Sequence, residues 1–287
     1  MSAILFALTS YVGWGTGSLL EAIVSRKLYS YSLLFWSHLI SFILLSIYAP
    51  FALSDLNNLS FDILIIIFIL AFVGIFLGTI FYYEALRAGN RALVGTITAS
   101  FPAVTVVLSL IFLGDRTSFQ QTIAIIIIFL GLTLSILDSS SIKGKNLLTK
   151  SSFFALLAML TWGAYFAFIK IPVAKIGWFW PNYFTFFLFP LILIYIKFKR
   201  VKLEAPNKNN AFIPLFVSTI LVRAAELTYN LGISKGLVTV VAPIAGANQT
   251  LFVVLAFLVF KDRITKQQIA GIITTLIGIV LLSVFSV

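Results

Sequence analysis

Arg223 and Glu226 are the residues most out of place in this chain: opposite charges three positions apart inside an otherwise apolar stretch. A charge at mid-membrane costs about 2.5–3.5 kcal/mol on insertion scales, so it normally faces a cavity or a partner. The planar fork of Arg223 suits a carboxylate or a phosphate. Glu226 suits an ammonium group, or neutralises Arg223 in the empty state. The same spacing would also serve as an i,i+3 pair for insertion and packing alone. Asn230 stands one turn beyond Glu226, and Asn248-Gln249 stand in the next apolar stretch. Their amides can bond a substrate or join helices to one another. His38, the single histidine, sits beside Trp36 and Ser37, a candidate for a coupling proton or for a packed ring. Trp14, Tyr82, Trp162 and Tyr229 could wall a cavity and stack on a ring or a cation, or simply fill the core. Glu21 and Lys170, near the ends of their stretches, read as snorkelling termini. Trp178 and Trp180 read as interface anchors.

Catalysis finds no purchase here. There is no Walker loop, no His-Glu-x-x-His and no Gly-x-Ser-x-Gly. With no cysteine and one histidine, a thiolate or zinc site is excluded as well. The reading is a protein with no catalytic residues, no metal and no cofactor. Energy would come from protons or from the substrate's own gradient.

The elements that must position these residues follow from composition. Of 287 residues, 61% are hydrophobic and only 10% charged, and the mean hydropathy is +1.10. A soluble domain carries about a quarter charged residues, and disorder needs low hydrophobicity. An integral membrane protein remains. Apolar runs fall near 3–24, 31–49, 62–83, 92–113, 119–137, 152–172, 180–196, 211–232, 238–260 and 266–286. They are continuous, as from Ile63 to Phe72, not alternating as barrel strands are. The fold class is therefore all-α, with ten transmembrane helices. The N-terminus lacks the basic region of a cleavable signal.

The formal net charge of +11 reports topology rather than nucleic acid, because the cations lie in short links. Arg26, Lys27, Arg87, Arg91, Lys199 and Lys208 are among the many after odd-numbered spans. Links after even-numbered spans hold only Arg116, Lys170, Lys175 and Lys235. The odd links are expected in the cytoplasm and both termini outside.

The two halves repeat. Gly114-Asp115-Arg116-Thr117-Ser118-Phe119-Gln120-Gln121 aligns with Lys261-Asp262-Arg263-Ile264-Thr265-Lys266-Gln267-Gln268, and the same offset superposes Gly89 on Gly236 and Tyr82 on Tyr229. Trp14-Gly15 matches Trp162-Gly163 with one residue of slippage. Residues 1–139 form the first five-helix repeat, 140–150 a polar linker and 151–287 the second repeat. Five is odd, so the second repeat enters from the other side, giving inverted repeats with a site near the midplane between them. Pro102 and Pro243 each remove a backbone donor and are candidate hinges in the fourth and ninth spans.

On these residues the chain resembles the EamA family of the drug/metabolite transporter superfamily. The resemblance rests on the Trp-Gly of each half, on Tyr82-Tyr83-Glu84-Ala85-Leu86-Arg87-Ala88-Gly89, on the Pro102 segment and on Leu113-Gly114-Asp115-Arg116. It implies two five-helix bundles, alternating access and export of small metabolites, amino acids and aromatic ones among them. Asp115 and Asp262 stand where the family more often has Glu, and Gln249 stands where Pro102 would repeat.

The leading expectation is a monomeric secondary transporter of the inner membrane that exports amino acids, with a small-molecule substrate, the lipid bilayer and a coupling proton as partners and no nucleic acid. An organic-anion, sugar-phosphate or nucleotide-sugar carrier would need a second cation in the cavity, for which only Lys170 and Lys235 offer themselves. Cationic drug efflux would need an acid deeper than Glu21. An intramembrane lipid-handling protein would need a polar cluster at one face, and a channel would show flux without saturation.

The cysteine-free chain makes the topology testable. Ser54→Cys should react with an impermeant maleimide in intact cells, and Asn207→Cys only after permeabilisation. The reverse pattern would invert the map.

Overall fold

Each apolar run becomes a helix in the computed structural model, which describes residues 1–88, 91–136, 149–261 and 264–286. Among the described residues ten helices are long and apolar enough to cross a membrane: α1 Ser2–Val24, α2 Ser30–Asn58, α3 Phe61–Ala88, α4 Leu93–Phe112, α5 Phe119–Ile136, α6 Lys150–Ile176, α7 Trp180–Phe198, α8 Phe212–Lys235, α9 Val238–Phe260 and α10 Lys266–Val284. No strand occurs among the described residues. Gly89, Asp262, Arg263 and most of the polar linker lie outside them.

Six of the ten helices are irregular where a straight helix would be the default: α2 ends in a 3₁₀ stretch over Ala49–Asn58, α6 is interrupted at Ile169, and four more depart as follows. α3 widens to a π-helix over Ala71–Leu77. α4 is broken between Thr98 and Phe101, with Pro102 in the first turn of the new segment. α7 passes through a 3₁₀ turn at Phe186–Leu188. α9 is broken at Ala247, four residues after Pro243. Both candidate hinges thus sit at interruptions. The two breaks also meet, since a Cβ on Gly246 would lie 2.2 Å from Cγ of Pro102.

Packing places α1 along α8, α5 along α10, and α6 against α3 and α4. α1 comes close to α8 because Gly17 presents no side chain: a Cβ there would lie 2.6 Å from Cγ2 of Val222. One core joins Trp14, Tyr229 and Val241 with Ile128 and Tyr165. A second gathers Leu45, Ile67, Phe179, Trp180 and Phe186.

At the face carrying the chain termini, polar side chains tie helix ends together. Asp115 Oδ2 accepts from Thr239 N at 2.9 Å, capping the start of α9. Lys170 Nζ donates to the carbonyls of Ile233 and Gly236, capping the end of α8. An amine that reads as a snorkelling terminus is therefore a helix cap, favoured because a cation stabilises a helix C-terminus. Trp180 is likewise no interface anchor. It is buried, and its Nε1 donates to Ala52 O at 2.7 Å.

At the opposite face the α1–α2 and α7–α8 links are clamped through Glu204. Its carboxylate accepts from Tyr29 N at 2.8 Å and pairs with Lys208, while its carbonyl accepts from Trp36 Nε1 at 2.7 Å. The Lys208 hydrogen bond, then that of Tyr29, holds Glu204 below the usual carboxylate range. A depressed carboxylate adds stability above its ordinary pKa and loses it as pH falls through the lowered value. Between about pH 7 and about pH 3, the thermal midpoint in detergent should therefore fall less for Glu204→Gln than for the parent. Equal falls would remove Glu204 from the clamp.

Candidate functional site

The site is built where irregular α7 faces α8. Arg223 and Glu226 stand one turn apart on α8, and Arg223 Nη1 donates to Glu226 Oε2 at 2.6 Å. Their side chains are 14% and 16% exposed, so the pair is largely withdrawn from the surface. The 3₁₀ turn of α7 places the Phe186 ring beneath the guanidinium, 5.1 Å from Cζ. A cation over an aromatic face gains about 0.5–2 kcal/mol, more when desolvated. The Nε of Arg223 is buried without a hydrogen-bond partner.

Around this pair stand groups from four further helices. His38 of α2 packs in a T-shaped arrangement with Phe186, ring centroids 5.6 Å apart. It also lies within electrostatic range of Arg223. Tyr165 of α6 donates to Asn182 Oδ1 of α7 at 3.3 Å and feels the charges of both Glu226 and Arg223. Asn182 is 3% exposed and its amide nitrogen has no partner. Glu21 of α1 is coupled electrostatically to Arg223, to Glu226, and to Tyr82 and Tyr83 of α3.

Glu21 corrects its reading as a snorkelling terminus. It belongs to the polar cluster, carried there because α1 runs so close along α8. Asn182 and Phe186 are not among the candidates that the sequence offers. The signal available for Asn182 was an amide directly after Pro181 within an apolar run. Nothing in the sequence set Phe186 apart from the other phenylalanines.

The remaining candidates fall at the margins. Tyr82 and Trp162 pack as a ring pair with centroids 5.3 Å apart, next to Tyr83. Trp14 lies in the core against Phe166 and Tyr229, at 5.4 and 5.7 Å. The Asn230 amide donates to Trp178 O at 2.9 Å and that of Asn248 to Ala245 O at 3.0 Å, so both nitrogens serve the backbone. Gln249 is partly buried just after the α9 break. Lys170 spends its amine on the end of α8. Among the described residues no group of three His, Cys, Asp or Glu side chains could hold a metal ion.

The arrangement therefore offers one guanidinium, two carboxylates and several aromatic faces. It can pair with a carboxylate at Arg223, with an ammonium group at Glu226 or Glu21, and with a flat apolar body between.

Comparison with known proteins agrees on what kind of chain this is. The model of the EamA-like transporter family matches residues 1–137 and again 149–284. An uncharacterised transporter of Archaeoglobus fulgidus is 24% identical over 254 residues, covering 82% of each chain. An uncharacterised protein of Methanocaldococcus jannaschii is 27% identical over 93 residues, which are 32% of this chain and 66% of that one. A crystal structure with 15% identity superposes with a TM-score of 0.80 over 99% of this chain and 97% of its own, a likeness of fold.

Breaking a buried ion pair from one side costs up to about 3–5 kcal/mol, because the other charge is left unpaired, whereas an apolar replacement of both is often neutral. Arg223→Met should thus lower the thermal midpoint more than the double change Arg223→Met with Glu226→Leu. If the double variant were the sum of the singles, the pair would not be coupled.

Proposed function

The chain belongs to the EamA-like transporter family and is a multi-pass membrane transporter, and we propose that it moves amino acids, aromatic ones included, outward across the inner membrane by alternating access. The observation that carries this is the Arg223–Glu226 pair over Phe186, a paired cation and anion on an aromatic floor. A zwitterion exchanges that internal pairing for two of its own: carboxylate to guanidinium, ammonium to carboxylate. Neither buried charge is then stranded, which a purely anionic or purely cationic cargo would not achieve.

The balance of charge also weighs against the organic-anion reading. Such a carrier needs a second cation, and Lys170 is occupied elsewhere. Two acids to one base instead leave capacity for a coupling proton, with Glu21 the acid not paired to Arg223. The repeated sequence supports inverted five-helix halves, and the breaks in α4 and α9, packed through Pro102 and Gly246, are the natural places for them to bend. A monomer contains the whole site.

The test is uptake of labelled amino acids into proteoliposomes, with and without a proton gradient. Saturable uptake that falls about 10- to 100-fold in Arg223→Ala, the worth of a charge-assisted hydrogen bond, is the expected result. Counter-exchange of phosphate esters with no amino-acid flux would replace this reading with the anion carrier.

A further inference from the structure

His38 is buried, 6% exposed, and it is bonded on one side only. Its Nδ1 lies 2.9 Å from Leu34 O, one turn earlier on α2. A carbonyl oxygen can only accept, so Nδ1 carries the hydrogen, and in a neutral ring that leaves Nε2 as a bare acceptor. This Nε2 is buried without a partner. The His38 ring packs on Phe186, whose ring also carries the Arg223 guanidinium. Tyr31, two turns away on the same helix as His38, lines a crevice of about 10 Å³ with it, room for about one water.

An unsatisfied buried acceptor is destabilising unless something donates to it. We infer that His38 is a specificity residue: its Nε2 accepts a hydrogen bond from the body of the substrate, so the preferred cargo carries a hydroxyl or ring N–H donor beyond its charged end. This rests on the zwitterion reading for the charged end, but the donor requirement is separable from it. A site with an acceptor built in discriminates against the analogue lacking the donor, because that analogue leaves the acceptor buried and bare.

The experiment uses the full-length protein in proteoliposomes and measures competition by three matched pairs that differ in one hydroxyl: tyrosine with phenylalanine, tyramine with phenethylamine, and 4-hydroxyphenylacetate with phenylacetate. In whichever pair is transported, the hydroxylated member should compete at least about 5-fold better. His38→Phe, which keeps a ring and removes the acceptor, should bring that ratio to about one. His38→Gln, which restores an acceptor oxygen, should recover it and covers the case in which the phenylalanine variant does not fold. A preference seen only with the amines or only with the acids would uphold His38 while overturning the zwitterion reading. No hydroxyl preference in any pair, or a preference that survives in His38→Phe, would overturn the role of His38.

Discussion

A guanidinium and a carboxylate held between apolar helices can stay there only while each keeps the other, and the interior is arranged around that condition. Arg223 and Glu226 satisfy it directly, one turn apart on α8. The surroundings then add what the pair lacks. α7 abandons regular helix at Phe186–Leu188 and sets a ring under the guanidinium. α1, free of side chains at Gly13 and Gly17, lies close enough to bring Glu21 within reach. A low-dielectric interior strengthens each of these interactions and raises the cost of losing any of them.

A second condition follows from the solvent. In lipid every backbone group must be satisfied within the protein, so an interrupted helix needs side chains to stand in for the missing bonds. They are found at the breaks and junctions. At the break in α9, Asn248 donates to Ala245 O at 3.0 Å and Thr250 Oγ1 to Ala247 O at 2.9 Å. Asp115 and Lys170 serve the two sides of the short α8–α9 link, an anion on the helix start and a cation on the helix end. Polar residues that look like substrate ligands on a hydropathy plot are in part the backbone's own partners.

That division explains what the sequence could and could not convey. The ten spans were legible because uninterrupted apolar runs of membrane length have few other uses, and Arg223 with Glu226 because an isolated charge pair inside such a run needs a reason. The π-helix of α3 has no comparable signature in its residues. Glu21 misled because distance from the end of a span says nothing about which helix lies alongside; the relevant information was in Gly13 and Gly17, and it concerns α8. Trp180 misled for the same kind of reason. A tryptophan at a span entrance is an anchor only if lipid is its neighbour, and here the neighbour is the carbonyl of Ala52. Residue type reported polarity, while tertiary contact decided its use.

The two ends of the interior are held by different mixtures of contacts, and the difference bears on how an alternating-access cycle would run. At the face of the termini an aromatic cluster stands alongside the Asp115 and Lys170 caps: Phe179 packs against Tyr48, Trp180 and Tyr183 with centroids 5.0, 5.2 and 5.6 Å apart. Baring such rings costs about 1.5–3 kcal/mol each. At the opposite face α3 and α7 are joined by exposed polar contacts beside the Tyr31, Tyr83 and Tyr195 rings. Glu84 accepts from Lys199 at 3.0 Å, Tyr195 at 3.2 Å and Arg87 at 3.3 Å, and all three charged groups retain contact with solvent. Water replaces such bonds at little cost, since exposed ion pairs are worth about 0–1 kcal/mol. Under the proposed sidedness the cheaper opening faces the cytoplasm, where an exporter loads. Parting the aromatic end would then fall to the free energy of the loaded site, and an exporter of the proposed kind would be kept from opening outward while empty.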